Sequence, residues 1–153
     1  MKKVFLLFGL LFCFIAFAPQ TFAQKQIQQQ VQRDPVLEAD ANHNLEVAQN
    51  YFRTKKAYRA VLMRFEETFA AYPEYSKMDE FLYIAAMSSY YLSQNKGKQK
   101  LLANATEDEK KKYAPEKLRE DAVAYFNMII ENFPNSPYKV EAEKTLKEMG
   151  ANK

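Results

Sequence analysis

The chain has 153 residues, 48% of them hydrophobic and 14% aromatic, with only 3 glycines. That is apolar material enough for the core of one domain and little material for turns, a profile that favours helices over strands. The formal charge of +3 includes Lys2 and Lys3; the rest of the chain holds 20 basic against 19 acidic residues and gives no electrostatic ground for nucleic-acid binding.

Lys2 and Lys3 precede an apolar run from Val4 to Ala18, followed by Pro19-Gln20-Thr21-Phe22-Ala23. A charged start, an apolar stretch too short to span a bilayer and small residues at its end predict a secretory signal peptide over residues 1–23, cut before Gln24. The chain is therefore expected in the periplasm. Cys13, the only cysteine, stands in mid-run behind Phe12, which is no lipobox. Without it the chain has no disulfide and no thiolate chemistry. Residues 24–33, QKQIQQQVQR, read as a flexible Gln-rich leader. A helical domain is expected over 34–150.

Asp34-Pro35 is a helix start, an acceptor side chain followed by a proline at the first helical position. Leu37, Ala41, Leu45, Ala48 and Phe52 then recur on one face, predicting a first helix over 35–53. Thr54-Lys55-Lys56 makes a turn. Tyr58, Val61, Leu62, Phe65, Phe69 and Tyr72 stripe a second helix that ends before Pro73. A third helix, 78–92, is expected to start at Ser76 as cap and is apolar nearly all the way round. Such a helix is covered on all sides, which predicts a central position.

Residues 94–114 read as an insertion. Asn95-Lys96-Gly97-Lys98 breaks the helix, and Thr106 with Glu109 forms a capping box for a short charged helix. Lys96, Lys98 and Lys100, with Lys110 to Lys112, make a candidate basic patch, but Glu107, Asp108 and Glu109 stand among them in the sequence, so a solvated mixed-charge surface is the expectation. Ala114-Pro115 opens a helix carrying Leu118, Ala122, Phe126, Ile129, Ile130 and Phe133. Ser136-Pro137 is expected to cap the last helix, striped by Tyr138, Ala142, Leu146 and Met149 and stopped by Gly150.

Residues 119–138, REDAVAYFNMIIENFPNSPY, match 58–77, YRAVLMRFEETFAAYPEYSK, without a gap when shifted by 61 positions. Phe126 falls on Phe65, Phe133 on Tyr72 and Pro134 on Pro73. A small residue, an aromatic four later and a proline eight after that is the second half of a tetratricopeptide-type repeat. The fold expected is all-α, a tetratricopeptide-like solenoid of about five helices. The two Tyr/Phe-Pro corners, with the Ala- and Glu-rich helix after the second, resemble the BamD/YfiO-like outer-membrane assembly lipoproteins over roughly residues 45–149. The resemblance implies a helical scaffold in the periplasm, bound to a partner of the Omp85-type barrel machine. The chain is shorter than such proteins and lacks their lipobox.

Little in the sequence suggests chemistry. His43 is the only histidine, so no histidine pair, triad or two-histidine metal site exists. No cofactor, metal or catalytic residue is expected. A non-catalytic scaffold binding a protein or peptide is the leading reading. An adaptor in peptidoglycan or cell-division processes, and a small secreted enzyme or ligand carrier with its site in 94–114, are the alternatives. In tetratricopeptide arrays the first helix of each hairpin lines the binding face, here the first, third and last. The candidate groove is Lys77, Glu80, Ile84, Met87 and Tyr91 on the third helix with Gln49 and Arg53 on the first, unless the insertion folds back over Ile84, Met87 and Tyr91.

Overall fold

The computed structural model describes residues 33–99 and 104–151. The expected signal peptide with Cys13, nearly all of the expected Gln-rich leader, and Lys100 lie outside the described residues. The described part is all-α. Its helices are α1 (Pro35–Asn50), α2 (Tyr58–Ala71), α3 (Met78–Ser93), α4 (Glu107–Lys112), α5 (Pro115–Asn132) and α6 (Lys139–Glu148).

Local chemistry accounts for most of the helix ends. The Asp34 carboxylate accepts from the backbone N–H of Val36 and of Leu37, two donors that the first turn leaves without helical partners. Thr106 and Glu109 form the reciprocal capping box that opens α4. Gly150 takes the left-handed conformation, φ +67°, just after α6.

Three ends differ from expectation. The first helix does not run as α-helix to Arg53; it widens into a π-helical turn, Tyr51–Lys55, closed by Lys56 at φ 50°. The Tyr51 carbonyl accepts from the N–H of both Lys56 and Ala57, so one wide turn ends the helix and starts α2. Ser76 does not cap α3. The first helical residue follows Lys77, no side chain caps it, and the Ser76 N–H donates to Glu38 instead. Ser136 likewise stands before the cap position of α6, which is Tyr138. Its hydroxyl accepts from the Tyr138 N–H and donates to Asp79 on α3, so it fastens two corners together.

The self-match in the sequence is a match in three dimensions. Tyr72 and Phe133 end α2 and α5 in nearly the same conformation, φ −150°, ψ 74° and φ −127°, ψ 65°. Three backbone hydrogen bonds then recur 61 residues apart. Tyr72 N to Thr68 O repeats as Phe133 N to Ile129 O. Tyr75 N to Tyr72 O repeats as Ser136 N to Phe133 O. Met78 N to Tyr75 O repeats as Lys139 N to Ser136 O. The proline after each aromatic cannot continue a helix, and the same corner results.

Helix α3 is the centre of the domain. Met78, Phe81, Leu82, Ile84, Ala85, Ala86, Ser88 and Ser89 are all buried on it. It packs most extensively on α5 and next on α2, while α1 reaches it only lightly. Ser136, after α5, bonds Asp79 at the start of α3, and Leu118 shares a cavity wall with Leu92 at its end, so α3 and α5 run antiparallel. Phe65 meets Phe81 and Tyr125 edge-on, with ring centroids 5.6 and 4.9 Å apart. Such tilted pairs satisfy the ring quadrupoles in a close-packed core.

Burial of the aromatic hydroxyls has a consequence at high pH. Tyr125 is pushed up to about 12, by burial first and then by the charges of Asp121 and Glu66. Burial also raises Tyr58, Tyr75, Tyr83 and Tyr138. A raised folded-state pKa means that the folded chain holds a proton which the unfolded chain has already lost. This contribution is fully present below about pH 10 and is lost as pH rises towards 12. Urea midpoints are therefore expected to be flat across neutral pH and to fall steeply between about pH 10 and 12. Tyrosinate absorbance should rise late and together with unfolding. A midpoint unchanged at pH 11 would contradict the burial of these rings.

Candidate functional site: the α1–α3–α6 face

Of the half-buried residues of α3, Glu80, Tyr83, Met87, Tyr90 and Tyr91 recur three, four, three and one apart and form one stripe, while Asp79, Leu92 and Ser93 lie off it. On α1 the matching residues are Gln49, Phe52 and Arg53, the last two carried by the π-helical turn. The two rows are bridged rather than packed. Gln49 Nε2 donates to Glu80 Oε1 at 2.6 Å, and the rings of Phe52 and Tyr91 stack 6.1 Å apart. Lower down, Asn42 Oδ1 accepts from the Tyr75 hydroxyl and from Lys77 Nζ.

The start of α6 extends the same face. Tyr138 stacks on Tyr83 with centroids 4.9 Å apart. The Tyr138 hydroxyl is raised by burial, then by the charge and hydrogen bond of Glu80, while Arg53 pulls it down. Glu80 is thus the polar centre of the face, answering to a side chain from each of α1 and α6. Around it lie Met87 and the rings of Phe52, Tyr83, Tyr91 and Tyr138.

Of the seven candidate groove residues, Gln49, Glu80, Met87 and Tyr91 lie half-exposed on this face, with exposed Arg53 beside them. Lys77 is exposed but sits at one edge, held by Asn42. Ile84 is 3% exposed and belongs to the core, so it offers nothing to a partner. The rotation of α3 explains this: Ile84 lies on its covered side, and Tyr83, one residue earlier, takes the open position. Tyr83, Tyr90, Phe52 and Tyr138 are the residues of this face that the sequence reading did not select. The signal for Tyr83 was present, because it is three residues after Glu80 and four before Met87. Phe52 and Tyr138 read as core stripe, which half-buried rings at an edge do not distinguish.

The insertion folds back only in part. Among the described residues of the insertion, Lys96 lies over the Tyr91 ring, 5.5 Å from its centroid. Helix α4 goes the other way, to α2: the Arg59 guanidinium sits over the Tyr113 ring at 4.5 Å, and Lys112 pairs with Glu66. A cavity of about 300 Å³ lies there, lined by Arg59, Leu92, Tyr113 and Leu118 among others. A second, of about 310 Å³, lies between α1 and α2.

Among the described residues no group of three His, Cys, Asp or Glu side chains could hold a metal ion, and His43 is exposed on α1. No helix of the described residues is long and apolar enough to cross a membrane. The fold and this face define an all-α protein of stacked helical hairpins. Comparison of the chain with protein-family models, with curated proteins and with solved structures gives no match.

Proposed function

We propose that the chain is a non-catalytic scaffold that captures a protein or peptide partner on the α1–α3–α6 face. The observation that carries this reading is the face itself. Met87 and the aromatic edges of Phe52, Tyr83, Tyr91 and Tyr138 surround a charged centre, Glu80 and Arg53, on three separate elements. Aromatic anchors around a few polar groups suit an extended or helical segment of another chain.

The repeated corner supports a tetratricopeptide-type array, in which the first helices of successive hairpins share one binding face. With the secretory N-terminus read from the sequence and the resemblance to the BamD/YfiO-like family, the reading places the chain in the periplasm. There it would assist assembly of outer-membrane proteins or maintain the envelope, with a barrel-assembly component as the partner class.

Photo-crosslinking tests this directly. A photoreactive residue placed at Arg53 or at Met87 is expected to give the same discrete adduct in the native envelope. One placed at Glu143, on the charged outer side of α6, should give none. Adducts from Glu143 alone, or the same diffuse background from all three, would overturn the proposed face.

A further inference from the structure

One end of the domain is cationic beyond what the partner face uses. The segments 47–65 and 81–106 contain no Asp or Glu. They meet where the α1–α2 turn and the segment after α3 are tied together. Lys98 N donates to Lys56 O at 3.0 Å, and Ala60 N donates to Gln99 Oε1 at 3.1 Å. Gly97 makes the tie possible: its φ is +109°, and a Cβ there would come within 2.8 Å of the Tyr58 ring. The result is an end that displays Lys55, Lys56, Lys96 and Lys98, all exposed. Among the described residues none of the four makes an ion pair. On α4, by contrast, Lys110 pairs with Glu107 and Lys112 with Glu66.

We propose that this end of the domain docks on an anionic lipid surface, Lys55, Lys56 and Lys98 meeting the headgroup phosphates. Three features select a surface over other polyanions. The cations stand on the tips of two segments and do not converge on one pocket, so they match many spaced anionic groups and not a single one. Behind them lies half-exposed Tyr91, an amphipathic ring of the kind that settles at headgroup depth, backed by buried Tyr58. Those rings pack against one another and against Phe52, with centroids 5.2, 5.7 and 6.1 Å apart and Tyr91 stacked on Phe52, so they are engaged with protein rings where nucleic-acid bases would need to stack. The helix dipole accounts for Lys55, in the last turn of its helix, but not for Lys98, five residues beyond α3.

The test is sedimentation of the full chain with vesicles of phosphatidylcholine, with and without about one-quarter phosphatidylglycerol. Lys2, Lys3 and the apolar run after them give every variant the same background. The readout is therefore the difference between variants. Changing Lys55, Lys56 and Lys98 together to Glu should lower partition onto the anionic vesicles by about tenfold or more and leave the neutral vesicles unaffected. The same charge change at Lys139, Lys144 and Lys147 should leave anionic partition within about twofold. Raising the salt to about 0.5 M should abolish the difference. The idea fails if both triple variants lose binding equally. It fails too if the wild type binds polyglutamate or a DNA duplex under conditions where it does not bind the anionic vesicles. A circular-dichroism melt of each variant separates loss of docking from loss of fold. Arg53 and Met87 are untouched, so the outcome is independent of partner capture.

Discussion

Phe126→Ala is expected to cost about 3–5 kcal/mol of stability, the range for truncating a fully buried aromatic. Phe126 is 0% exposed, at the contact between α5 and α3, with Tyr83 against its ring at 6.3 Å. Helix α3 packs on both α5 and α2, so the ring is lost from the most extensive helix contact of the domain. Phe65→Ala, the change at the equivalent position of the first hairpin, should cost a similar amount, since Phe65 is 1% exposed. Urea unfolding should show the loss as a lower midpoint with an unchanged slope. A cost below about 1 kcal/mol for Phe126 would mean that α5 does not present this face to α3.

The second large effect separates two neighbours on α3. Ile84→Ser should lower stability by about 3–5 kcal/mol, because it leaves a cavity and buries a hydroxyl where the core is apolar. Met87→Ser, three residues on, should cost roughly 1 kcal/mol or less and should weaken partner capture instead, because Met87 is half-exposed. Thermal melts of the two single variants decide the matter. If Ile84→Ser melts with the wild type and Met87→Ser does not, α3 is rotated from the position described, and the partner face lies elsewhere.

That contrast also marks how much the sequence could say about the site. Glu80, Met87, Tyr91, Gln49 and Arg53 were legible as a stripe off the core, because helical spacing places them on one side whatever lies around them. Ile84 was not separable from Tyr83. Helix α3 is apolar on nearly every side, so its pattern has no strong direction. Only the helices packed against it decide which apolar residues are covered. The corner caps at Ser76 and Ser136 were misplaced for a related reason. Each serine stands in a multi-residue corner whose backbone makes its own hydrogen bonds, and Glu38 and Asp79, distant in sequence, compete for the serine groups.

By itself the sequence determined the all-helical class, the start of α1 at Asp34, the capping box at Thr106, the stop at Gly150 and the recurrence of one corner after 61 residues. These depend on interactions within a few positions of the chain, so local side chains and prolines suffice to specify them. Tertiary structure decided the rotation of α3, the π-helical turn that carries Phe52 and Arg53, and the meeting of Tyr83 with Tyr138. It also decided that the segment around Gly97 lies on Tyr58 and gathers Lys55, Lys56, Lys96 and Lys98 at one end. Each of these joins residues from different elements, and its energy comes from contacts that exist only once the helices have packed.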